Sequence, residues 1–477
     1  MTRSSSAVRL GAKAVSLLAS IAVASPVVAQ SAPASRESQA DAILSWALKN
    51  GPYPGVSVAI EQHGQIVYRK GAGYADLEKK VPVTPDIRFP IGSITKSFTC
   101  LSVLQLTAKG EINLDRPVGG YLHDLSAPDS GVLIRQLLNH TSGIPNYTNL
   151  PNFPQAPSMT MTRKDVEDMF SAQPLLFGGG ASFNYSNSDT FLLGLVVEKA
   201  SGEPYDRYVR THVLEPFGMT RSGFDAHDNG APDRARGYQW TGQAFKPAIL
   251  YNYQVPFSAG ALVSTPTDLL KYRRGVFGPQ TSPAVRDLVL TRRPMNDGTP
   301  NPYAFGCLVV TSMEGHAKIT HAGDIYGFAA DYAYYPDDDL TIAVTTNDQG
   351  AKFPPISIER KLARVFLGLP PLTVVDLSLP ADVAQPLVGD YKVGNFKVGF
   401  DDVGLVYKAG VMNLSVGGVG SGAPLVPLRY QGDGRFISSE DDESWIDVKA
   451  DADGAESLVL HFSEGAIAAR KAPPKQG

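Results

Sequence analysis

The spacing of hydrophobic and polar positions divides the chain into distinct elements. Alternation over 56–60 and 65–69, with His63-Gly64 between the two runs, predicts a β-hairpin. Apolar residues spaced by three and four predict helices over 94–108, 133–138, 165–170, 189–200, 267–272, 284–290 and 356–366. Runs rich in β-branched and aromatic residues predict strands over 308–311, 317–320, 329–335 and 340–345, with a turn at 336–339.

The order of these elements predicts the domain organisation. Segment 36–369 has strands at both ends and helices between them, which is typical of an α+β domain in which one sheet carries a helical subdomain. Segment 370–380 contains three prolines and is interpreted as a linker. Over 381–472, short strands between Gly and Asp turns are predicted at 391–400, 404–407, 412–416, 425–430, 435–437, 445–448 and 457–462. A small all-β barrel or sandwich is therefore expected there.

The N-terminus and the charge predict an exported protein. Three basic residues precede an apolar run at 15–24, and 27–29 has the small-residue pattern of a cleavage site, so 1–29 is expected to be a cleaved signal peptide. We therefore expect a periplasmic or secreted protein. The apolar run is too short to span a bilayer, so membrane insertion is not expected. Loss of the basic segment would make the formal net charge of −4 more negative, which disfavours nucleic acid as a partner.

The cysteine content leaves the redox state open. Cys100 and Cys307 are the only two cysteines, and export would permit a disulfide between them. Cys100 lies inside the apolar helical pattern of 94–108, where a free cysteine behaves as a small hydrophobic residue. Two buried free thiols are therefore expected.

Ser93 and Lys96 form a candidate nucleophile and base. They are three residues apart at the start of a predicted helix, so the lysine ammonium can reach the serine hydroxyl. A serine hydroxyl is a poor nucleophile at neutral pH and needs such a partner. At a helix start, backbone N–H groups also point to where an oxyanion would form.

Tyr185 and Asn187 form a second candidate group, 92 residues after Ser93 and just before a predicted helix. The tyrosine hydroxyl could relay a proton between Ser93 and a leaving group, and Asn187 could donate to a substrate carbonyl. Tyr147-Thr148-Asn149 has the same pattern. The local sequence does not decide between the two tyrosines.

His321, Gly323 and Asp324 follow the predicted strand 317–320 and form a third group. A glycine at a strand edge lets another backbone approach closely, and the Asp324 N–H could supply a second oxyanion donor.

The acidic residues 337–339 are interpreted as a turn rather than as metal ligands. No zinc spacing, phosphate loop or dinucleotide fingerprint occurs, so neither a metal nor an organic cofactor is expected.

Together the motifs Ser93-Ile94-Thr95-Lys96, Tyr185-Ser186-Asn187 and His321-Ala322-Gly323 resemble the class C β-lactamase, DD-peptidase and esterase superfamily of penicillin-recognising serine hydrolases. The resemblance covers 39–369, with further similar stretches at 86–96, 134–145, 183–187, 259–265 with Asp268, and 321–328. It implies an antiparallel sheet covered by helices with an all-helical lobe beside it, and a lipocalin-like barrel at the C-terminus.

The resemblance also assigns roles. It implies Ser93, Lys96 and Tyr185 as catalytic residues, because the family tyrosine precedes a Ser-Asn-x-x-Phe-Leu-Leu-Gly helix, which fits Tyr185 and not Tyr147. It implies a substrate-binding or oxyanion role for Asn187, His321, Gly323 and Asp324. Segment 140–143 becomes a structural loop rather than a source of a catalytic histidine.

One departure from the lactamase pattern bears on the substrate. His321 stands where lactamases of this class usually carry lysine, and a histidine is mostly neutral above about pH 7. The expected protein is an exported serine hydrolase that forms an acyl-enzyme on amides or esters, favouring D-amino-acid-containing peptides or amides. The alternatives are a short-chain carboxylesterase or weak β-lactamase, and a non-catalytic β-lactam or cell-wall binding protein. The partner is a small-molecule or peptide substrate, and the oligomeric state is left open.

Overall fold

The predicted hairpin is present in the computed structural model, which describes residues 35–473 except 52, 155–159, 172, 225–230, 250–251, 352, 395, 398–399, 440–443, 451–455 and 463–464. Its strands, Gly55–Gln62 and Gln65–Asp76, meet at His63 and Gly64, both of which have positive φ. The expected signal peptide, 1–29, lies outside the described residues. Among the described residues no helix is long and apolar enough to cross a membrane.

One antiparallel sheet is built from both ends of segment 36–369, as predicted. Within the described residues its eight strands run in the order Val81–Pro82, Gln65–Asp76, Gly55–Gln62, Leu340–Thr346, Phe328–Tyr335, His316–Ile325, Leu308–Met313 and Tyr303–Ala304. The strand Gly55–Gln62 pairs with Leu340–Thr346, which joins the two halves. The strand His316–Ile325 thereby lies near one edge of the sheet, beside the helical lobe.

Helices cover both faces of this sheet. The α-helices are Arg36–Asn50, Thr95–Ala108, Ala127–Ser130, Ile134–Leu138, Arg163–Ser171, Asn187–Ser201, Tyr205–Val209, Phe257–Gly260, Pro266–Phe277, Pro283–Val289, Pro355–Leu367 and Ala381–Ala384. The first of these has no counterpart among the predicted elements. It packs with Pro355–Leu367 on one face of the sheet, and the remaining longer helices form the lobe on the other. The expected α+β class is confirmed.

The helix Thr95–Ala108 runs through the centre of the helical lobe. Its apolar residues are almost completely buried against the helix Asn187–Ser201 and its neighbours. Cys100 on this helix is joined to Cys307 by a disulfide. The expectation of two free thiols is therefore wrong: burial of Cys100 was expected, but its partner approaches from the start of a strand 207 residues later.

The strands that follow residue 380 form a closed barrel. Of the two folds expected for this segment, a small barrel or a sandwich, the barrel is therefore the correct one. Its eight strands, within the described residues, are Gly389–Val393, Asp402–Lys408, Val411–Val416, Leu425–Gly432, Arg435–Ser438, Trp445–Ala450, Glu456–Phe462 and Gly465–Lys471. The single strand predicted over 391–400 is wrong. Pairing within the barrel stops at Val393, and the short strand Phe396–Lys397 leaves the barrel.

Phe396–Lys397 pairs in parallel with Phe183–Asn184, directly before Tyr185. The other short strands are Phe89–Pro90, Tyr238–Trp240, Phe245–Pro247, Val263–Ser264 and Asp348–Gln349. The barrel therefore contributes a backbone segment to the neighbourhood of a predicted site residue.

Candidate active site

Ser93 lies in a 3-10 turn, Gly92–Ile94, that leads directly into the helix Thr95–Ala108. Its immediate neighbours are buried, whereas Ser93 itself is half-buried. Gly92 has a φ of +49°, a conformation that favours glycine. The turn therefore presents the Ser93 hydroxyl to solvent at the positive end of a helix.

Lys96 is fully buried beneath Ser93. Its Nζ donates hydrogen bonds to Ser93 Oγ at 2.9 Å, to Asn187 Oδ1 at 2.7 Å and to the carbonyl oxygen of Ala259 at 2.8 Å. An ammonium group has three hydrogens to donate, and these three oxygens lie within hydrogen-bond distance of it. The predicted i, i+3 contact between Lys96 and Ser93 is thus formed inside the protein.

Tyr185 lies beside Lys96, whose Nζ is 4.9 Å from the centre of the tyrosine ring. The alternative, Tyr147, is fully buried, and its hydroxyl donates to the carbonyl oxygen of Val255 at 3.0 Å. A nearby cation stabilises a phenolate, and Lys96 is such a cation for Tyr185. Tyr185 therefore lies beside Lys96, and its catalytic role stays a prediction.

Asn187 begins the helix Asn187–Ser201 and connects the two motifs. Its Oδ1 accepts from Lys96, and its Nδ2 donates to Thr148 Oγ1 at 3.3 Å. Its backbone N–H donates to Asn146 Oδ1 at 3.2 Å. Asn187 is thus held in place from two separate segments, by Lys96 on the helix Thr95–Ala108 and by Asn146 and Thr148 in one turn.

Gly323 and Gly92 allow the strand His316–Ile325 to lie directly against the turn that carries Ser93. A Cβ atom on Gly323 would fall 2.0 Å from the Ile91 carbonyl oxygen and 3.0 Å from the Ser93 nitrogen. A Cβ atom on Gly92 would fall 2.8 Å from the Asp324 nitrogen. A side chain at either position would therefore keep the strand and the turn apart. Their close approach brings the backbone nitrogens of Ser93 and Asp324 to the same end of the site.

His321 is buried and neutral, and its hydrogen bonds define its tautomer. Nδ1 lies 2.5 Å from the carbonyl oxygen of Ala322, which can only accept, so Nδ1 carries the hydrogen. Nε2 therefore accepts from the Tyr303 hydroxyl at 2.8 Å. Burial, together with the nearby Lys96 charge, lowers the pKa of His321 to about 4. The residue offers neither a positive charge nor a second N–H at neutral pH.

Tyr303 was not singled out from the sequence. Its ring lies 6.3 Å from the Tyr185 ring and 4.7 Å from the His140 ring, measured between ring centres. It lies on the short strand Tyr303–Ala304 at the sheet edge. Tyr303 lies outside every predicted strand, so no local sequence pattern indicated that it would lie next to Tyr185 and His321.

His140 and Asp189 form a second group that the motifs did not reveal. Both are fully buried, His140 Nδ1 lies 2.9 Å from Asp189 Oδ2, and the His140 ring packs against Tyr185 at 4.7 Å. Burial lowers the pKa of His140 well below its usual value and raises the pKa of Asp189 well above its own. Burial therefore disfavours the charged form of each group. The Ser186 N–H also lies 3.4 Å from His140 Nδ1. His140, at the start of the loop 140–143, thus packs against the Tyr185 ring and helps to hold it in place.

A cavity of about 380 Å³ opens above Ser93. Its apolar walls come from Tyr147, Phe153, Val255, Pro256, Ile325 and Tyr326. Asn187 and Asp324 also line it. Another cavity of about 400 Å³, beside Tyr121 and Lys199, contains none of the predicted residues. The described residues include no cluster of three or more His, Cys, Asp or Glu side chains that could hold a metal ion.

Three comparisons place the chain among known proteins. It is 28% identical over 321 residues to Protein flp of Staphylococcus aureus strain MRSA252, covering 65% of this chain and 63% of that protein. It is 29% identical over 304 residues to a D-aminopeptidase of Gluconobacter oxydans strain 621H, covering 63% of this chain and 57% of that protein. The chain thus spans less than two thirds of the length of these curated relatives. A solved octameric penicillin-binding protein homologue from Pyrococcus abyssi has a similar fold, with a TM-score of 0.62 and 23% identity over 90% of this chain and 99% of that one.

The family model named Beta-lactamase matches residues 40–364, which include all three motifs and most of the residues covered by the predicted resemblance. The expected superfamily is confirmed, and the chain belongs to the beta-lactamase family of serine hydrolases.

Proposed function

We propose that this chain is an exported serine hydrolase that acts on amides or esters through an acyl-enzyme. The observation that carries the proposal is the contact of 2.9 Å between the buried Lys96 Nζ and the half-buried Ser93 Oγ. A buried ammonium beside a hydroxyl stabilises negative charge that develops on the oxygen. The centre of the Tyr185 ring lies 4.9 Å from the same Nζ, so Lys96 and Tyr185 form a pair that can hold a proton and return it.

Acylation begins when Ser93 Oγ bonds to the substrate carbonyl carbon. The hydroxyl proton passes to the coupled Lys96–Tyr185 pair, which before the reaction holds one proton fewer than an ammonium and a phenol together, and the carbonyl electrons move to the oxygen. The N–H groups of Ser93 and Asp324 stabilise that oxyanion. When the tetrahedral intermediate collapses, the bond to the leaving amine or alcohol breaks and the pair returns the proton to the departing atom.

Deacylation repeats these steps with water as the nucleophile. Water gives one proton to the Lys96–Tyr185 pair as its oxygen bonds to the acyl carbon. The bond to Ser93 Oγ then breaks, the proton returns to that oxygen, and a carboxylic acid leaves. The Asn187 side chain is held by Lys96 and Thr148 and lines the cavity above Ser93, where it can orient the carbonyl group of the substrate.

The favoured substrates are peptides or amides of D-amino acids. The D-aminopeptidase relative supports this substrate class. The neutral His321, whose Nε2 already accepts from Tyr303, supports it as well, because it supplies no charge for a substrate carboxylate. A short-chain carboxylesterase or a weak β-lactamase are the alternatives within the same chemistry.

Export is supported by two separate observations. The first 29 residues have the pattern of a signal peptide. Cys100 and Cys307 form a disulfide, and such bonds persist in oxidising compartments such as the periplasm. Expression with the native N-terminus, followed by fractionation and N-terminal sequencing, tests export. An uncleaved chain retained in the cytoplasm would contradict it.

A substrate panel tests the reaction. It compares D- and L-aminoacyl p-nitroanilides, p-nitrophenyl esters and a chromogenic cephalosporin, with intact-protein mass spectrometry to detect the acyl-enzyme. We expect turnover of D-aminoacyl amides through an adduct on Ser93. A stable adduct without turnover would instead support the binding-protein alternative, and labelling at another residue would contradict the proposed nucleophile.

A further inference from the structure

The cavity above Ser93 has an uneven distribution of charge. Among its described lining residues, Asp324 alone has a charged side chain. The other polar side chains that line it, which include Thr148, Asn187 and Gln349, are neutral. Lys96 lies beneath Ser93 and donates to three protein oxygens rather than lining the cavity. The described walls therefore favour a positive group over a negative one.

Asp324 is close to where the substrate carbonyl must lie. Its backbone packs against Gly92, next to Ser93. Desolvation raises the pKa of its carboxyl to about 6, although part of the residue reaches solvent, so the group is mostly ionised at about pH 7.5. An α-amino group is two bonds from the carbonyl carbon that Ser93 attacks, which brings it into the part of the cavity that Asp324 lines.

The rest of the cavity suits the side chain of such a substrate. Tyr147, Phe153 and Tyr326 provide aromatic surface, and Val255 and Pro256 provide aliphatic surface. Aromatic and aliphatic walls with a few placed polar groups are typical of small-ligand sites. One carboxylate in such a cavity selects ligands that combine an ammonium group with an apolar side chain.

We propose that Asp324 is a specificity-determining residue that binds the free ammonium group of an α-aminoacyl substrate with an apolar side chain. This inference rests on the proposed function, because it concerns the acyl half of the substrate that Ser93 attacks. It predicts that the enzyme distinguishes a free amino group from a blocked one.

The experiment compares two substrates that differ only in that group, D-phenylalanine p-nitroanilide and its N-acetyl derivative. We expect kcat/KM to favour the free amine by roughly 10- to 100-fold in the native enzyme, as for a hydrogen bond to a charged group. Asp324→Asn keeps the shape of the side chain and removes its charge, so the ratio should fall towards one. Asp337→Asn, at an exposed acidic turn at the other end of the neighbouring strand, is the control and should keep the native ratio.

A binding measurement separates this inference from the hydrolase proposal. Calorimetric titration of the Ser93→Ala protein with D-phenylalanine amide and with N-acetyl-D-phenylalanine amide reads the preference without turnover. Tighter binding of the free amine, lost on adding Asp324→Asn, would support the inference even if no p-nitroanilide were hydrolysed. Equal affinities, or a preference that survives Asp324→Asn, would overturn it even if both substrates were hydrolysed.

Discussion

The Tyr303 hydroxyl donates a hydrogen bond of 2.8 Å to Nε2 of His321. Because Nδ1 of the same ring donates to the Ala322 carbonyl oxygen, both ring nitrogens are occupied within the protein. A lysine at 321 would bring a full positive charge to this position, whereas the neutral imidazole brings none.

Replacing His321 by lysine should move selectivity towards substrates that carry a carboxylate. We expect a gain of about 1–3 kcal/mol in transition-state binding relative to matched neutral substrates, the scale of a charge-assisted hydrogen bond. The measurement is kcat/KM on a cephalosporin and on a neutral ester. Tyr303→Phe removes the hydroxyl without adding charge and should not produce the same preference. Efficient cephalosporin turnover by the native protein would contradict the prediction.

Ser93→Ala should reduce kcat by at least about 10³-fold, because it removes the group that forms the covalent bond. An acylating fluorophosphonate probe should add mass to the native protein at Ser93 and leave the variant unlabelled. Ser45→Ala, at an exposed position on the first helix, is the control and should label normally. A Ser93→Ala protein with a near-native rate would end the proposed mechanism.

Lys96→Ala and Tyr185→Phe should each slow acylation severely, and the double variant should be little slower than either single one. The two groups handle the same proton, so removing the second costs little once the first is gone. Single-turnover acylation rates provide the measurement. Tyr147→Phe loses only the hydrogen bond to Val255 and should acylate much faster than Tyr185→Phe. The reverse order would mean that Tyr147 holds the role.

The C-terminal barrel should influence the substrate range through the strand Phe396–Lys397, which pairs with Phe183–Asn184 next to Tyr185. Replacing 394–400 by a short Gly-Ser linker should change KM or the preference for longer peptides more than the rate on a small ester. Truncation after Leu369 should leave a soluble protein that still labels at Ser93. An insoluble truncated protein would argue against separate domains, and an unchanged substrate profile would leave the barrel a purely stabilising role.

Asp331 should make stability depend on pH. Burial raises its pKa to about 8, with a further contribution from the Glu359 charge, and its carboxyl oxygens have no hydrogen-bond partner among the described residues. Because the folded-state pKa exceeds the unfolded one of about 4, folding binds a proton in this range, and stability falls as the pH rises from about 4 to 8.

Asp331→Asn should therefore be more stable relative to the native protein at pH 8 than at pH 5. Thermal unfolding of both proteins across this range measures the difference. Asp337→Asn, at an exposed turn, should show a difference that does not change with pH. If the Asp331→Asn difference were also constant, the carboxyl would not titrate within this range.

Much of the site could be predicted because its parts are local in sequence. The contact between Ser93 and Lys96 follows from a spacing of three residues at a helix start, and helical geometry alone brings them together. The hairpin and most of the longer helices were likewise predicted from hydrophobic periodicity, because each packs apolar residues into the protein interior, whereas the helix Arg36–Asn50 was not predicted. The family resemblance extended this to Tyr185, which no local pattern distinguished from Tyr147.

Contacts between distant segments were decided only by the tertiary structure. Lys96 meets Asn187 across 91 residues, and Cys100 meets Cys307 across 207. The support of Tyr185 by His140, and the departure of Phe396–Lys397 from the barrel to pair beside it, depend in the same way on topology. Periodicity shows which face of an element is buried but not which element covers that face. The sequence by itself therefore determined most of the elements and the chemistry of each motif, whereas strand order and helix packing decided which of those groups share a site.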